Sequence, residues 1–262
     1  MRWDPAQYAL FSDHRSRPFF DLVGRIGHAT PAKVVDLGCG PGELTAVLAR
    51  RWPDAEVLGI DSSPHMIERA KALEDAPPNL AFTVGDVGDY SPEPGTGVVV
   101  SNALLQWVPG HQKMIQSWTQ VLEPGAWLAL QVPGNFRSPS HALMRGLAES
   151  ERWAPRLAGV LRHDDAVSEP GDYLRLMRAA GLEADAWETT YQHVLQGSDP
   201  VLEWVRGTGL RPVLEALSAA EAPEFEARYS ALLSEAYPSE PEGTLFPFRR
   251  IFAVGCKALP AA

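Results

Sequence analysis

A glycine-rich turn between a predicted strand and a predicted helix constrains this 262-residue chain more than any other feature. An apolar run ends at Asp36, and the turn that follows carries Gly38, Gly40 and Gly42 before an apolar pattern with helical spacing begins. Glycines in such a turn remove the β-carbons that would hold a ligand away from the backbone, and they permit positive φ. The segment therefore predicts a nucleotide-like ligand at the start of a helix.

The spacing of these glycines argues against a dinucleotide. In the dinucleotide fingerprint the third glycine follows the second by three residues, whereas Gly42 follows Gly40 by two. Asp36 precedes the first glycine by two residues, where a carboxylate would repel a pyrophosphate but would suit hydrogen-bond donors or an ammonium group. An NAD-dependent oxidoreductase is thus the weaker alternative.

Polar residues follow the next predicted strands in the same way. Asp61 ends the strand at 55–60, nineteen residues past the glycine turn, where an α/β nucleoside site places a ribose-binding acid. Ser63 and Pro64 suit an N-cap and a first helical residue, which puts Met66 in the first helical turn. Ligands collect at the carboxyl ends of parallel strands, so we expect one site there. A helix cap or a solvated turn is the alternative explanation for each single acid.

The whole pattern predicts an α/β fold with a doubly wound, mostly parallel, seven-stranded sheet that has one antiparallel strand. The predicted strands lie at 34–37, 55–60, 80–84, 97–102, 126–132, 184–194 and 249–254. Roughly fifty residues between the last two strands look helical, which is too many for a hairpin connection, and Ser218 with Glu221 has the spacing of a capping box. The predicted parts are N-terminal lid helices at 1–30, a cofactor-binding α/β core at 31–135, the rest of the core at 136–194, a helical substrate cap at 195–247, and the last core strand and tail at 248–262.

An aromatic and basic stripe lies near the start of the chain. Tyr8, Phe11 and Arg15 fall on one helical face. Aromatic and guanidinium groups on one stripe suit a lid over a charged ligand. A surface helix that covers the edge of the sheet explains the stripe equally well.

Charge and composition limit the partners. A net charge of −10 and the lack of a long basic run argue against a nucleic-acid surface. The apolar stretches are too short for a membrane-spanning helix and the first residues lack the apolar region of a signal peptide, so we expect a cytoplasmic protein without a membrane partner. Cys39, Cys256 and the seven histidines show no metal-ligand spacing, so no metal is expected.

Several segments together resemble the trans-aconitate 2-methyltransferases, a family of class I S-adenosylmethionine-dependent methyltransferases with a Rossmann-like sheet. The glycine turn resembles the first motif of the whole class, whereas the N-terminal and cap segments are more specific to the family. The resemblance is carried by residues 3–18, 36–42, 59–64, 102–107, 187–191, 204–212 and 246–252. Phe248-Arg249 departs from the pattern, since the family has a proline before that arginine.

The resemblance implies S-adenosylmethionine as the methyl donor, S-adenosylhomocysteine as a product, and a monomethyl ester on one carboxylate of trans-aconitate. It places Asp86 beside the adenine amino group, with the backbone amide of Val87 next to it. The predicted cofactor-binding residues are then Asp36, Gly38, Gly40, Asp61, Ser62, Met66, Asp86, Val87 and Asn102.

The chemistry of a carboxylate acceptor predicts how the rest of the site works. With a pKa near ~4 the acceptor is already ionised at neutral pH, so no general base is required and no residue is predicted to be catalytic. We expect positioning and exclusion of water to help the reaction, with Trp107 as a pocket wall, while guanidinium groups bind the other carboxylates bidentately. The predicted substrate-binding residues are Tyr8, Arg15, Arg17, Trp107, Tyr191, Trp204, Arg211 and Arg249.

Two further alternatives share the predicted cofactor site. A methyltransferase of another small carboxylate or hydroxyl acceptor would keep every cofactor residue and differ only in the lid and the cap. A non-catalytic protein that retained the fold would bind the cofactor without turnover.

Overall fold

The structure, a computed structural model, describes residues 12–259, apart from the side chains of residues 12–15 and 164. Its helices are α1 (Ser12–Val23), α2 (Glu43–Arg51), α3 (Pro64–Lys71), α4 (His111–Val121), α5 (Pro139–Ala148), α6 (Ala154–Leu157), α7 (Pro170–Ala179), α8 (Pro200–Arg206), α9 (Arg211–Ala216) and α10 (Glu221–Ala236). Its strands are β1 (Lys33–Leu37), β2 (Glu56–Asp61), β3 (Leu80–Val84), β4 (Thr96–Asn102), β5 (Trp127–Pro133), β6 (Leu182–Leu195), β7 (Ser239–Glu240) and β8 (Gly243–Lys257). Short 3₁₀ turns occupy Val87–Asp89, Leu105–Trp107 and Asp164–Ala166.

In this part of the chain the strands form one sheet in the order β3-β2-β1-β4-β5-β8-β6. Strands β1 to β5 pair in parallel, and β8 runs antiparallel to both of its neighbours, β5 and β6. The predicted mostly parallel sheet with one antiparallel main strand is therefore confirmed. The two-residue β7, which pairs with the start of β8, is an additional strand. Its Ser239-Glu240 sequence carries no apolar alternation by which it could be predicted.

Helices cover both faces of the sheet because successive residues of its central strands are buried on opposite sides. Val34 of β1 packs with Leu22 of α1 and Leu48 of α2. The next residue, Val35, belongs to the cluster on the other face, which includes Trp118 of α4. This doubly wound arrangement reverses direction between β1 and β4, and ligands of such folds bind in the crevice at that reversal.

The β6–β8 pair is much longer than the rest of the sheet. These strands pair from Leu182 and Lys257 to Leu195 and Thr244, whereas β5 pairs with β8 only as far as Arg250. The extension holds the helical cap, whose core is one cluster of buried aromatic and aliphatic side chains. The cluster includes Met144, Trp153, Leu157, Trp204, Val213, Phe225, Tyr229, Phe246 and Phe248.

Two predicted boundaries differ from the structure. Helices α5 and α6 pack into the cap cluster, although the prediction assigned 136–194 to the rest of the core. Strand β8 begins at Gly243 and not at 248. Both differences arise because helix–helix packing and strand extension depend on contacts that are distant in sequence.

The segment predicted as a lid is described from residue 12 onward. Phe19 and Leu22 of α1 are fully buried against the sheet, as a covering helix requires. Ser16 and Phe19 also line the cavity described below. No helix within residues 12–259 is long and apolar enough to cross a membrane.

Candidate active site

A cavity of about 810 Å³ lies at the carboxyl ends of β1, β2, β4 and β5 and extends under the helical cap. All nine predicted cofactor-binding residues line it. The wall on the cap side is formed by α5, by the segment after α6, by α8 and the loop that follows it, and by β8. The residues of that wall include His141, Met144, Arg145, Leu161, Arg162, Trp204, Thr208, Gly209, Phe248 and Arg250.

The glycine turn needs its glycines for two different reasons. Gly38, Gly40 and Gly42 all have positive φ, at 74°, 56° and 88°. A β-carbon at Gly42 would lie 2.6 Å from the ring of Phe82, so this glycine permits close packing. A β-carbon at Gly40 would meet no atom of the described residues within 4 Å, so the space beside this backbone is open to a ligand as far as residues 12–259 are concerned.

Asp61 joins two loops at the end of β2. Its two carboxylate oxygens accept hydrogen bonds from the backbone N–H groups of Gly40, at 3.0 Å, and Ser63, at 2.9 Å. Ser63 in turn caps α3, since its Oγ accepts from the backbone N–H of Met66 at 3.4 Å. An ionised carboxylate has about four lone-pair sites, so Asp61 keeps acceptor capacity for two ribose hydroxyls.

Asp36 is a buried carboxyl group beside the glycine turn, with 3% of its surface exposed. It accepts a hydrogen bond from Thr45 Oγ1 at 2.7 Å. Burial raises the pKa of Asp36 to about 7, and the nearby charge of Asp61 adds to the rise, while the hydrogen bond from Thr45 opposes it. A positive group of a ligand at this point would favour the ionised form.

Asp86 and Asn102, the next two cofactor candidates, line the cavity at the ends of β3 and β4. Asp86 Oδ1 accepts from the backbone N–H of Gly88 at 2.7 Å, so it caps the 3₁₀ turn while it also lines the cavity. Asn102 Oδ1 is buried without a hydrogen-bond partner among the described residues. Ala103 follows with a positive φ of 55°, a conformation that is uncommon outside glycine and often occurs at functional loops.

Of the predicted substrate-binding residues, Trp107 and Trp204 lie in the cavity wall. The guanidinium carbon of Arg162 lies 3.8 Å from the centre of the Trp107 ring. Trp204 is almost fully buried and stacks on His193 with ring centres 4.9 Å apart. Both aromatic groups therefore form part of the cavity wall, Trp107 in the turn after β4 and Trp204 on the cap side.

Three other predicted residues are placed elsewhere. Arg17 lies over the ring of Tyr191 at 5.0 Å, and the Tyr191 hydroxyl donates to Asp21 of α1. These contacts hold α1 against β6 and do not reach the cavity wall. Arg211 pairs with Glu215, one turn later in α9, at 3.1 Å, and it too is absent from that wall. Tyr8 and the side chain of Arg15 lie outside the described residues.

Arg249 faces the opposite side of β8 from the cavity. Its guanidinium group pairs with Glu169 and Glu188, and these hydrogen bonds raise its pKa. Its neighbours Phe248 and Arg250 line the cavity instead. Arg249, predicted in the substrate site, therefore does not reach the cavity in this structure, because side chains alternate along a strand and Arg250 takes the inward position.

The sequence prediction missed the basic residues of the cavity wall: Arg145 and Arg162, which act electrostatically on His141, and Arg250. Burial lowers the pKa of His141 to about 4, and the positive charges of Arg145 and Arg162 contribute to the change. Burial also lowers the pKa of Arg162, to about 10. His141 and Arg145 are four residues apart on α5, a spacing that places them on one helical face and could have identified them.

Charge is thus divided along the cavity, with carboxyl groups at the glycine turn and arginines under the cap. This division suits a cationic nucleoside at one end and a polyanion at the other. The described residues bring together no group of three side chains that could hold a metal ion.

Comparison with known proteins agrees with this geometry. Residues 34–125 match the family model described as "Methyltransferase domain". A trans-aconitate 2-methyltransferase of Streptomyces avermitilis is 54% identical over 97% of each chain. Proteins with that name from Rhodococcus jostii and Mycobacterium tuberculosis are 52% and 47% identical, each over 96% of this chain and over 98% and 95% of their own lengths.

Solved structures show the same fold at low identity. A methyltransferase of Geobacter sulfurreducens in complex with S-adenosyl-L-homocysteine aligns with a TM-score of 0.53 at 19% identity, covering 97% of this chain and 99% of its own. The YcgJ protein of Bacillus subtilis aligns with a TM-score of 0.57 at 15% identity, covering 92% and 97%. The fold is that of the S-adenosylmethionine-dependent methyltransferases, and the extent of the sequence identity shows that this chain belongs to the trans-aconitate 2-methyltransferase family.

Proposed function

We propose that the protein transfers a methyl group from S-adenosylmethionine to one carboxylate of trans-aconitate, forming a monomethyl ester and S-adenosylhomocysteine. The observation that carries the proposal is one continuous cavity that joins the acid-lined glycine turn to the arginines of the cavity wall. The relatives named trans-aconitate 2-methyltransferase support this substrate.

The residues at the glycine turn fit the methyl donor. Gly40 leaves open space beside the backbone, and Asn102 Oδ1 is a buried acceptor without a partner in the described chain. In this assignment Asp61 accepts from the ribose hydroxyls, Asp86 and Val87 lie at the adenine, and Asp36 lies near the ammonium group of the methionine part. The donor supplies a methyl group on a positively charged sulfur.

The reaction requires no deprotonation by the protein. A lone pair of the acceptor carboxylate forms the new O–C bond while the S–C bond breaks and its electron pair stays on sulfur, so opposite charges neutralise each other. His141 is a poor general base, because its pKa is held near 4. Phe136 and Trp107 line the cavity and limit the access of water to the reacting groups.

The arginines under the cap bind the carboxylates that do not react. In this assignment Arg145, Arg162 and Arg250 take the role predicted for Arg17, Arg211 and Arg249, which do not line the cavity. The side chain of Arg15 lies outside the described residues, so its predicted role stays a prediction. A guanidinium group holds a carboxylate by two parallel hydrogen bonds, which fixes orientation as well as adding affinity. A carboxylate acceptor is already ionised at neutral pH, whereas a hydroxyl acceptor would need a base.

Incubation with S-adenosylmethionine carrying a labelled methyl group, together with a panel of di- and tricarboxylates and their hydroxyl analogues, tests the proposal. We expect label in a base-labile monomethyl ester of trans-aconitate and the highest kcat/KM for that acid. A higher kcat/KM for a hydroxyl acceptor than for trans-aconitate would identify that acceptor as the substrate instead. Donor binding with no turnover on any acceptor would indicate a non-catalytic protein, and binding of NADH would indicate the dinucleotide alternative.

A further inference from the structure

Arg162 is a largely buried cation in the cavity wall. It follows α6 in an irregular segment, and its guanidinium group stacks on Trp107 at 3.8 Å. The ring of Phe136 lies 5.6 Å away. One of its nitrogens, Nη1, donates to the backbone oxygen of Gln106. These contacts fix the plane of the guanidinium group against the turn that follows β4.

Arg162 forms no ion pair with a carboxylate in the described part of the chain. The other arginines discussed above illustrate the contrast, since Arg211 pairs with Glu215 and Arg249 with two glutamates. Burying a cation without an opposite charge is costly, and burial lowers the pKa of Arg162 without any acid to oppose the change. An anionic ligand in the cavity would supply the missing charge.

The position of Arg162 also connects the acceptor to the donor. Gln106 and Trp107 belong to the short turn that begins three residues after Asn102, at the donor end of the cavity. A carboxylate held by Arg162 would therefore be fixed relative to the donor site through a single short segment. Arg145 lies on α5 and Arg250 on β8, so both belong to other elements of the cavity wall.

We propose that Arg162 is the positioning residue that binds one particular non-reacting carboxylate of the acceptor, and that its stack on Trp107 sets which carboxylate oxygen faces the methyl group. This inference rests on the proposed function. It goes beyond that function by assigning one arginine to one carboxylate and by making Arg162 a determinant of where the substrate is methylated.

The test pairs variants of Arg162 with substrates that lack single carboxylates. Arg162→Met removes the charge, and Arg162→Lys keeps the charge but loses the planar fork. The ligands are trans-aconitate and the three dicarboxylates made by removing one carboxylate at a time, measured as substrates or as competitive inhibitors. Arg175→Lys is the matched control, because Arg175 is an exposed arginine that pairs with Asp172 and does not line the cavity.

For trans-aconitate we expect kcat/KM to fall about thirtyfold or more in Arg162→Met and about tenfold in Arg162→Lys. The affinity for S-adenosylmethionine, measured by calorimetry, should stay within about twofold of wild type. For one of the three dicarboxylates, kcat/KM or the inhibition constant should be nearly the same in wild type and in both variants, because the carboxylate that Arg162 binds is already absent. The product of trans-aconitate in Arg162→Lys should include a second monomethyl ester isomer.

An equal penalty on trans-aconitate and on all three dicarboxylates would show that Arg162 only supports Trp107, and would overturn the inference. Wild-type activity of Arg162→Met would overturn it as well. The proposed function fails separately, if the wild-type enzyme does not methylate trans-aconitate. Donor affinity and a thermal unfolding curve similar to wild type would establish that the variants are folded.

Discussion

At the scale of single residues, Asp36 couples its own protonation to the stability of the protein. Its pKa is about 7 in the folded chain and 3.8 when exposed. Folding therefore favours the protonated form, and this group reduces stability progressively as the pH rises from the lower value to the upper one. Because the pKa of Asp36 is higher by about 3 in the folded chain, its ionisation lowers the free energy of unfolding by up to about 4 kcal/mol at high pH.

Asp36→Asn should increase the stability of the ligand-free protein, because an amide can still accept from Thr45 but does not ionise. Urea unfolding should show a larger advantage of the variant at pH 8 than at pH 5. S-adenosylmethionine should bind more weakly to the variant at pH 8, since the negative charge facing the ligand is lost. An advantage that is the same at both pH values would mean that Asp36 does not titrate in this range.

Arg249 and Arg250 provide a matched pair of adjacent arginines on opposite faces of β8. Arg250→Lys should lower kcat/KM for trans-aconitate by about tenfold or more, because the planar fork toward the cavity is lost. Arg249→Lys should leave kcat/KM within about twofold, since that side chain pairs with Glu169 and Glu188 outside the cavity. Steady-state kinetics of both variants would show which face of β8 binds the acceptor. A larger loss of kcat/KM in Arg249→Lys than in Arg250→Lys would place Arg249 in the site.

The same pair shows the limit of sequence reasoning for single residues. Gly38, Gly40, Asp61 and Met66 were predicted at the cavity because turn glycines, capping residues and strand ends have local signals. No local signal in the sequence shows which face of β8 points toward the cavity, and a shift of one residue in the register exchanges the two faces. Family resemblance pointed to Arg249, and the pleat of the strand placed Arg250 inward.

At the scale of helices and strands, α5 is held in place by two tyrosines of the cap. The hydroxyl of Tyr229 on α10 donates to the backbone oxygen of Ser140 at 2.7 Å. The hydroxyl of Tyr237 accepts from the backbone N–H of the same residue at 3.0 Å. Ser140 precedes His141, and Arg145 follows one turn later. The cap therefore sets where the basic residues of α5 lie in the cavity.

Tyr229→Phe should reduce the free energy of unfolding by about 1–2 kcal/mol, because a buried hydrogen bond is lost while the ring remains. KM for trans-aconitate should rise several-fold, and the affinity for S-adenosylmethionine should not change. Tyr173→Phe is the control, since Tyr173 is equally buried but bonds to His111 on the far side of the sheet. If that variant raised the acceptor KM as much, a general loss of stability would explain both results.

The sequence predicts where helices and strands lie better than it predicts which of them pack together. The capping box predicted for Ser218 and Glu221 is present, with reciprocal hydrogen bonds between the two residues. Arg145 and Arg162 were missed because their segment was assigned to the rest of the core. Periodicity identifies the apolar face of a helix, but which neighbour that face meets depends on packing distant in sequence.

At the scale of the whole molecule, the cavity separates donor and acceptor by charge, and this has a kinetic signature. Because the acceptor is already ionised, kcat at saturating donor and acceptor should stay nearly flat between about pH 6.5 and 8.5. The titration of Asp36 should appear instead in KM for S-adenosylmethionine, which should fall as the pH rises through about 7. A steep rise of kcat with an apparent pKa near neutrality would point to a general base and to a different acceptor.

The cap leaves the sheet after Leu195 and returns at Thr244, and these two residues face each other in the β6–β8 ladder. The entry and exit of the insertion are thus hydrogen-bonded neighbours, so a tight turn could join them without changing any other connection of the sheet. A different insertion at this point, with compensating changes on the α5 face that the cap covers, is expected to keep the methyl donor and to change the acceptor.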